Sequence, residues 1–347
     1  MATQTAAIRS GPVLEPARQP QPWPGRERPA VLVSVQALRA VAATAVLLFH
    51  VHLVPLGFAG VDVFFVLSGL IMGMVGVKER PGVFMRRRVA RIVPLYWAVT
   101  LAMCGLAGLG LLRNFRFDAE SLVKSLLFVP FRNGDGELFP LVVPGWTLNF
   151  EMMFYAVFAL LLPTGRVREW ALVVLLALGA VGAMVAFRNP VLATYTSPLL
   201  FEFAGGLALS LGNPLDRLPG QLPQWGGIAL LAYGVIGFVL FAWLGDLSVQ
   251  GLPRALLLGG PALALVAGAL AIERAGAWPD IPGARLLGDA SYSLYLTHGI
   301  VLAGVALVAH KLGGGQVLEV VVGIGAAVVV AIATYRWFER PVTRLLR

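Results

Sequence analysis

Several residues able to do acid–base or anion chemistry stand inside apolar runs, where an uncompensated charge costs several kcal/mol. In the first run Arg39 and His50 are eleven positions apart. That is about 16 Å along a helix and a return to nearly the same face. An imidazole so placed can serve as a general base or as a nucleophile. Asp62 follows just after the turn behind His50, where a carboxylate can hold an imidazole in one tautomer. Glu151 sits between Trp146 and Tyr155 with no cation four residues to either side, and Glu202 is a weaker candidate of the same kind. His298 ends the segment Ser291-Tyr292-Ser293-Leu294-Tyr295-Leu296-Thr297-His298. Arg86, Arg87, Arg88 and Arg91 form a basic cluster, and clustered guanidiniums suit bidentate phosphate binding. Each has a plainer reading: an arginine snorkelling to the interface, a histidine bonded to a backbone carbonyl, an aspartate at a helix N-terminus, a tryptophan in the interfacial belt.

The elements that position these residues are membrane helices. Of 347 residues, 58% are hydrophobic and only 13% charged, against roughly a quarter charged in soluble domains. A fold in water could not hide that much apolar surface. Crossing a 30 Å hydrocarbon core takes about 20 residues, and the sequence offers about ten such stretches. They lie near 33–54, 57–77, 92–112, 143–163, 169–187, 197–211, 225–245, 254–272, 289–310 and 316–337, the sixth being short. The expected fold is therefore all-α: a bundle of about ten transmembrane helices, residues 31–347, behind a proline-rich tail over residues 1–30. That tail lacks the apolar core of a secretory signal and reads as disordered and cytoplasmic. Most Lys and Arg fall in the tail, after the second, fourth, sixth and eighth stretches, and at the C-terminus, which predicts both termini in the cytoplasm. The net charge of +9 reflects this bias rather than a nucleic-acid partner. The single cysteine, Cys104, excludes an intramolecular disulfide, and no metal site is expected.

These residues resemble acyltransferase family 3, membrane-bound O-acyltransferases that modify bacterial surface polysaccharides, Nod factors and some antibiotics. Arg39 and His50 fit the family's Arg-x10-His pair, and Gly60 to Gly69 resembles its GV-x-x-FF-x-x-SG segment. Arg88 to Pro94 is similar to R-x-x-R-x-x-P, and Trp146 to Tyr155 to W-[ST]-L-x-x-E-x-x-FY. Ser291 to His298 and Phe338-Glu339-Arg340-Pro341 resemble the closing pattern, so the likeness runs from about residue 33 to 342. Thr147 stands where Ser is common, and Leu70 where Phe is common.

The resemblance implies a multi-pass protein of the bacterial inner membrane that uses acyl-CoA, usually acetyl-CoA, from the cytoplasmic side as a donor substrate rather than a bound cofactor. It implies His50 as the catalytic residue with Arg39 as its companion. On that basis Glu151 and Asp62 are expected to tune or orient the imidazole. Arg87, Arg88 and Arg91 are expected to hold the CoA phosphates, and Trp146, Tyr155 and His298 to meet substrate. The acceptor is expected to be a hydroxyl of a carbohydrate or glycolipid, such as exopolysaccharide or O-antigen. Some members carry a C-terminal hydrolase-like domain; with this sequence ending at Arg347, transfer is expected to finish within the membrane domain. The competing reading is a transporter of an acyl, sugar or lipid substrate, since buried His and carboxylates also serve proton relays. The absence of an evident internal repeat speaks against it.

Overall fold

A computed structural model describes residues 32–112, 115–211, 224–313 and 315–346. The tail expected over residues 1–30 lies outside the described residues. In chain order the helices are α1 (Val33–His50), α2 (Gly60–Val75), α3 (Pro81–Gly108), α4 (Ala119–Leu126), α5 (Gly145–Leu161), α6 (Val167–Met184), α7 (Pro190–Tyr195) and α8 (Leu200–Ser210). There follow α9 (Gln224–Leu244), α10 (Gly251–Leu257), α11 (Gly259–Arg274), α12 (Pro282–Asp289), α13 (Ser291–Leu312), α14 (Gln316–Thr334) and α15 (Arg340–Leu346). Strands are absent among the described residues, and nine helical stretches there are long and apolar enough to cross a membrane. The tenth expected span, near 197–211, is the 11-residue α8, only about 16 Å long at 1.5 Å per residue. It is shielded from lipid: Leu200, Glu202, Phe203, Ala204, Gly206 and Leu207 are all buried.

Helix α2 is the hub, packed against α1, α8 and α11. Lipid offers no hydrophobic drive between helices, so close backbone contact must supply the attraction. At Gly206 of α8 a Cβ would lie 1.8 Å from the Val66 carbonyl oxygen of α2, and at Gly60 a Cβ would lie 2.4 Å from the Ala42 carbonyl oxygen of α1. Only glycine permits either approach. The first contact seats α8 on α2, and the second holds α1, whose last residue is His50, against the start of α2. On the periphery, Met184, Trp243 and Val317 remain exposed, as on helices that face lipid.

Helix ends and breaks are satisfied by distant partners. The Glu273 carboxylate at the end of α11 accepts the Val33 N–H at 2.7 Å and the Ser34 N–H at 3.0 Å, with the Ser34 hydroxyl also donating to it. An anion there suits the positive end of α1. Gln36 donates to Asp289 at 2.7 Å, tying α1 to α12. Helix α3 is 28 residues long and starts at Pro81, well before the expected 92, so the arginine cluster is helical. Pro94 inside it has no N–H to offer the Ala90 carbonyl. Thr343 of α15 takes that place, its hydroxyl donating to the Ala90 oxygen at 3.3 Å. A π-helical turn at Tyr335–Glu339 joins α14 to α15 and carries Glu339, which accepts from the Ser293 hydroxyl at 2.6 Å.

Outside the spans, α4 begins with a reciprocal cap. Asp118 accepts the Ser121 N–H at 2.7 Å while the Ser121 hydroxyl accepts the Asp118 N–H at 3.0 Å. The bonds from the Ser121 backbone and hydroxyl hold the Asp118 carboxyl below its ordinary range.

Candidate functional site

His50 closes α1 just before a tight reversal in which His52 takes a left-handed conformation, φ 59°. Its Nδ1 lies 2.8 Å from the Val46 carbonyl oxygen. A carbonyl can only accept, so Nδ1 carries the proton and Nε2 keeps its lone pair. The ring is exposed, in a cleft of about 850 Å³ that Trp146, Asn149, Arg254 and Tyr295 also line. His298 packs edge-on against it, ring centroids 4.6 Å apart. The His298 Nδ1 is likewise 3.1 Å from its own Leu294 carbonyl, and its Nε2 is buried with no hydrogen-bond partner. Two imidazoles with the same backbone anchor thus meet across α1 and α13.

Arg39, on the same helix as His50, opens into a different space. A narrow cavity of about 80 Å³ is lined by Arg39, Ser68, Arg91, Glu151, Tyr155 and Tyr292, among others. The Glu151 carboxylate accepts the Ser68 hydroxyl at 3.0 Å and also the Tyr155 hydroxyl. The Tyr292 hydroxyl donates to the Ile92 carbonyl at 2.6 Å, fixing α13 to α3 beside the cavity. Val61 and Tyr295 line both spaces and form the wall between them. Tyr295 is held there through a 3.1 Å hydrogen bond between its hydroxyl and that of Thr147.

Three sequence expectations change in this geometry. Asp62, expected to hold the His50 tautomer, is fully buried and binds Arg254 at 2.9 Å; the Val46 carbonyl does the orienting instead. Glu151, expected near the depth of His50, faces the arginine-lined cavity with Ser68 and Tyr155. The arginine cluster does not act as one surface. Only Arg91 lines the narrow cavity; Arg88 is buried with its guanidinium 5.4 Å over the Phe84 ring; Arg87 is exposed and pairs with Glu79 at 2.7 Å. Trp146 does share the large cleft with His50, set edge-on to Phe65 and Phe150. Glu202 lies buried next to Asp62.

The sequence reading missed three residues. Arg254 stands at the first position of the expected 254–272 span, its burial invisible to hydropathy because its partner is 192 positions away. Ser68 reads as a small residue for helix packing until Glu151 is seen beside it. Tyr295 lay within a segment already singled out, but only its place between the two spaces marks it. Among the described residues no group of three or more His, Cys, Asp or Glu could hold a metal ion.

The comparisons with known proteins accord with this arrangement. Residues 32–336 match the family described as "Acyltransferase domain". The chain is 40% identical over 313 residues to the exopolysaccharide production protein ExoZ of Rhizobium meliloti (strain 1021), covering 86% of this chain and 95% of that one. It is 24% identical over 349 residues to the peptidoglycan O-acetyltransferase OatA of Listeria monocytogenes, covering 90% of this chain and 56% of OatA. No solved structure matches the chain. The match sets the transporter alternative aside and makes the protein a multi-pass membrane enzyme. The chain belongs to acyltransferase family 3.

Proposed function

We propose that the protein moves an acyl group, acetyl in the first instance, from acyl-CoA to a hydroxyl of a polysaccharide in or at the bacterial inner membrane. The observation that carries this reading is the pair of spaces flanking Val61 and Tyr295: one with two arginines and a hydrogen-bonded carboxylate, the other with an accessible imidazole and a tryptophan. The first suits the anionic donor. Arg39 and Arg91 would hold its phosphates or its thioester end as charge-assisted donors. The second suits the acceptor. Trp146 offers an apolar face to a sugar ring, and His50 Nε2, with its lone pair free, would take the acceptor hydroxyl's proton or first accept the acyl group. The positive-inside distribution of Lys and Arg supports cytoplasmic termini, and with them a cytoplasmic entry for the donor. The relatives support a carbohydrate acceptor: one is named for exopolysaccharide production and another for O-acetylation of peptidoglycan.

The test is transfer of label from acetyl-CoA to extracted exopolysaccharide in vesicles bearing the protein. Labelling that needs the protein supports the reading; vesicles that bind acetyl-CoA but never label saccharide would refute it. In the same assay Arg91→Ala should raise KM for acetyl-CoA about 10- to 100-fold, the loss of one charged hydrogen bond at roughly 1.5–3 kcal/mol. The KM for acceptor should stay unchanged; an equal rise in both would remove Arg91 from donor binding.

A further inference from the structure

The cleft at His50 does not end at the catalytic residues. Next to it lies a groove of about 630 Å³, lined by the segments around Phe117, Lys124, Phe131 and Asn189. Arg132 and Phe139 line both spaces, so the groove adjoins the cleft. An ordinary ligand pocket holds about 300–1,000 Å³. The cleft alone, at about 850 Å³, satisfies that range, and together the two spaces exceed it.

Phe117, Phe131 and Phe139 present aromatic rings among charged side chains of both signs, Arg116, Lys124 and Arg132 with Asp118 and Glu120. Rings alternating with polar groups fit a chain of sugar units, whose faces are apolar and whose edges carry hydroxyls. The scaffold beneath is tied down. The Asn133 side-chain oxygen accepts the Asp135 and Glu137 N–H groups at 3.0 and 2.9 Å. Arg132 donates to the Gly136 carbonyl at 2.8 Å, and Asn189 caps α7 through the Val191 N–H at 2.9 Å. The Lys124 ammonium, paired with the Glu120 carboxylate, stands 6.0 Å from the Phe131 ring centre. Such a surface is formed before ligand arrives, so little ordering cost offsets binding.

We propose that this groove is an acceptor subsite that binds saccharide units several residues away from the hydroxyl being acylated, so that the enzyme selects oligomeric or polymeric acceptors over single sugars. The inference rests on the acceptor side of the proposed function. Its occupant is the continuation of the same saccharide chain that enters at His50, because the groove adjoins the cleft along Arg132 and Phe139 and offers aromatic rings set among charged side chains.

The experiment compares acceptors from a monosaccharide glycoside to an octasaccharide, with labelled acetyl-CoA and vesicles bearing wild-type protein, Phe131→Ala or Arg116→Gln. Wild type should show KM falling with acceptor length. Phe131→Ala should raise KM for the longer acceptors about three- to tenfold, the value of one aromatic contact of roughly 0.5–1.5 kcal/mol. Its kinetics with the monosaccharide should match wild type, which also reports that the variant folds. Arg116→Gln, an exposed change, should act in the same direction. Wild-type activity that is independent of length would overturn the groove while leaving the acyltransferase reading intact. Equal losses on short and long acceptors would overturn it as well. Labelling of no saccharide at all would overturn both.

Discussion

His50→Ala should lower acyl transfer by about 10²–10⁴-fold, the usual contribution of a positioned acid–base group. Its folding should be close to wild type. The imidazole is exposed in the cleft, and its one hydrogen bond goes to Val46 in its own helix, so no distant element loses an anchor. Vesicle assays at matched expression measure the first quantity, and thermal aggregation in detergent the second. A variant that keeps more than a tenth of wild-type turnover would remove His50 from the chemistry. Rapid mixing with acetyl-CoA and no acceptor then distinguishes the two routes open to Nε2. A burst of free CoA equal to the enzyme present marks an acyl-histidine; slow linear release marks proton abstraction.

Asp62→Ala should be the most destabilising single change described here, at about 3–5 kcal/mol. The carboxylate is fully buried and its partner Arg254 nearly so, with 2.9 Å between them. Removing the anion takes from Arg254 its 2.9 Å partner and leaves Glu202, buried beside it, as the remaining carboxyl near a guanidinium that stands 5.2 Å over the Phe58 ring. The cost belongs to the orphaned partner rather than to the bond, so Asp62→Leu combined with Arg254→Met should recover most of it. Heating curves of purified protein decide the matter. If the double variant melts no higher than Asp62→Ala, the pair is not acting as a compensated charge. Activity should fall in proportion to folded protein, because the geometry ties Asp62 to Arg254 of α10 rather than to the imidazole.

The contrast between these two residues explains what the sequence disclosed. His50 and Trp146 were legible because a polar or interfacial group in an apolar run is conspicuous whatever its partner. Asp62 was equally conspicuous, yet its partner was not. Arg254 is 192 positions away, at the very start of another expected span. The same limit hid the Ser68–Glu151 bond, which spans 83 positions. Helical spans were legible as runs of about 20 apolar residues, with two instructive departures. Helix α3 begins at Pro81 because Arg86, Arg87 and Arg88 depress hydropathy without breaking a helix, for which arginine is a good former. Helix α8 stops after 11 residues because other helices bury it, so it needs no full-length apolar run.

The wall of Val61 and Tyr295 has a consequence for descent. Mutations that reshape the His50 cleft reach the arginine-lined cavity through those two side chains and through the Phe65 ring, on which Trp146 and Phe150 pack. Under the roles proposed for the two spaces, a lineage can drift to new sugars while its handling of the acyl donor changes little. Diversity in such a family should accumulate on the His50 side of this partition and leave the Arg39 side nearly constant.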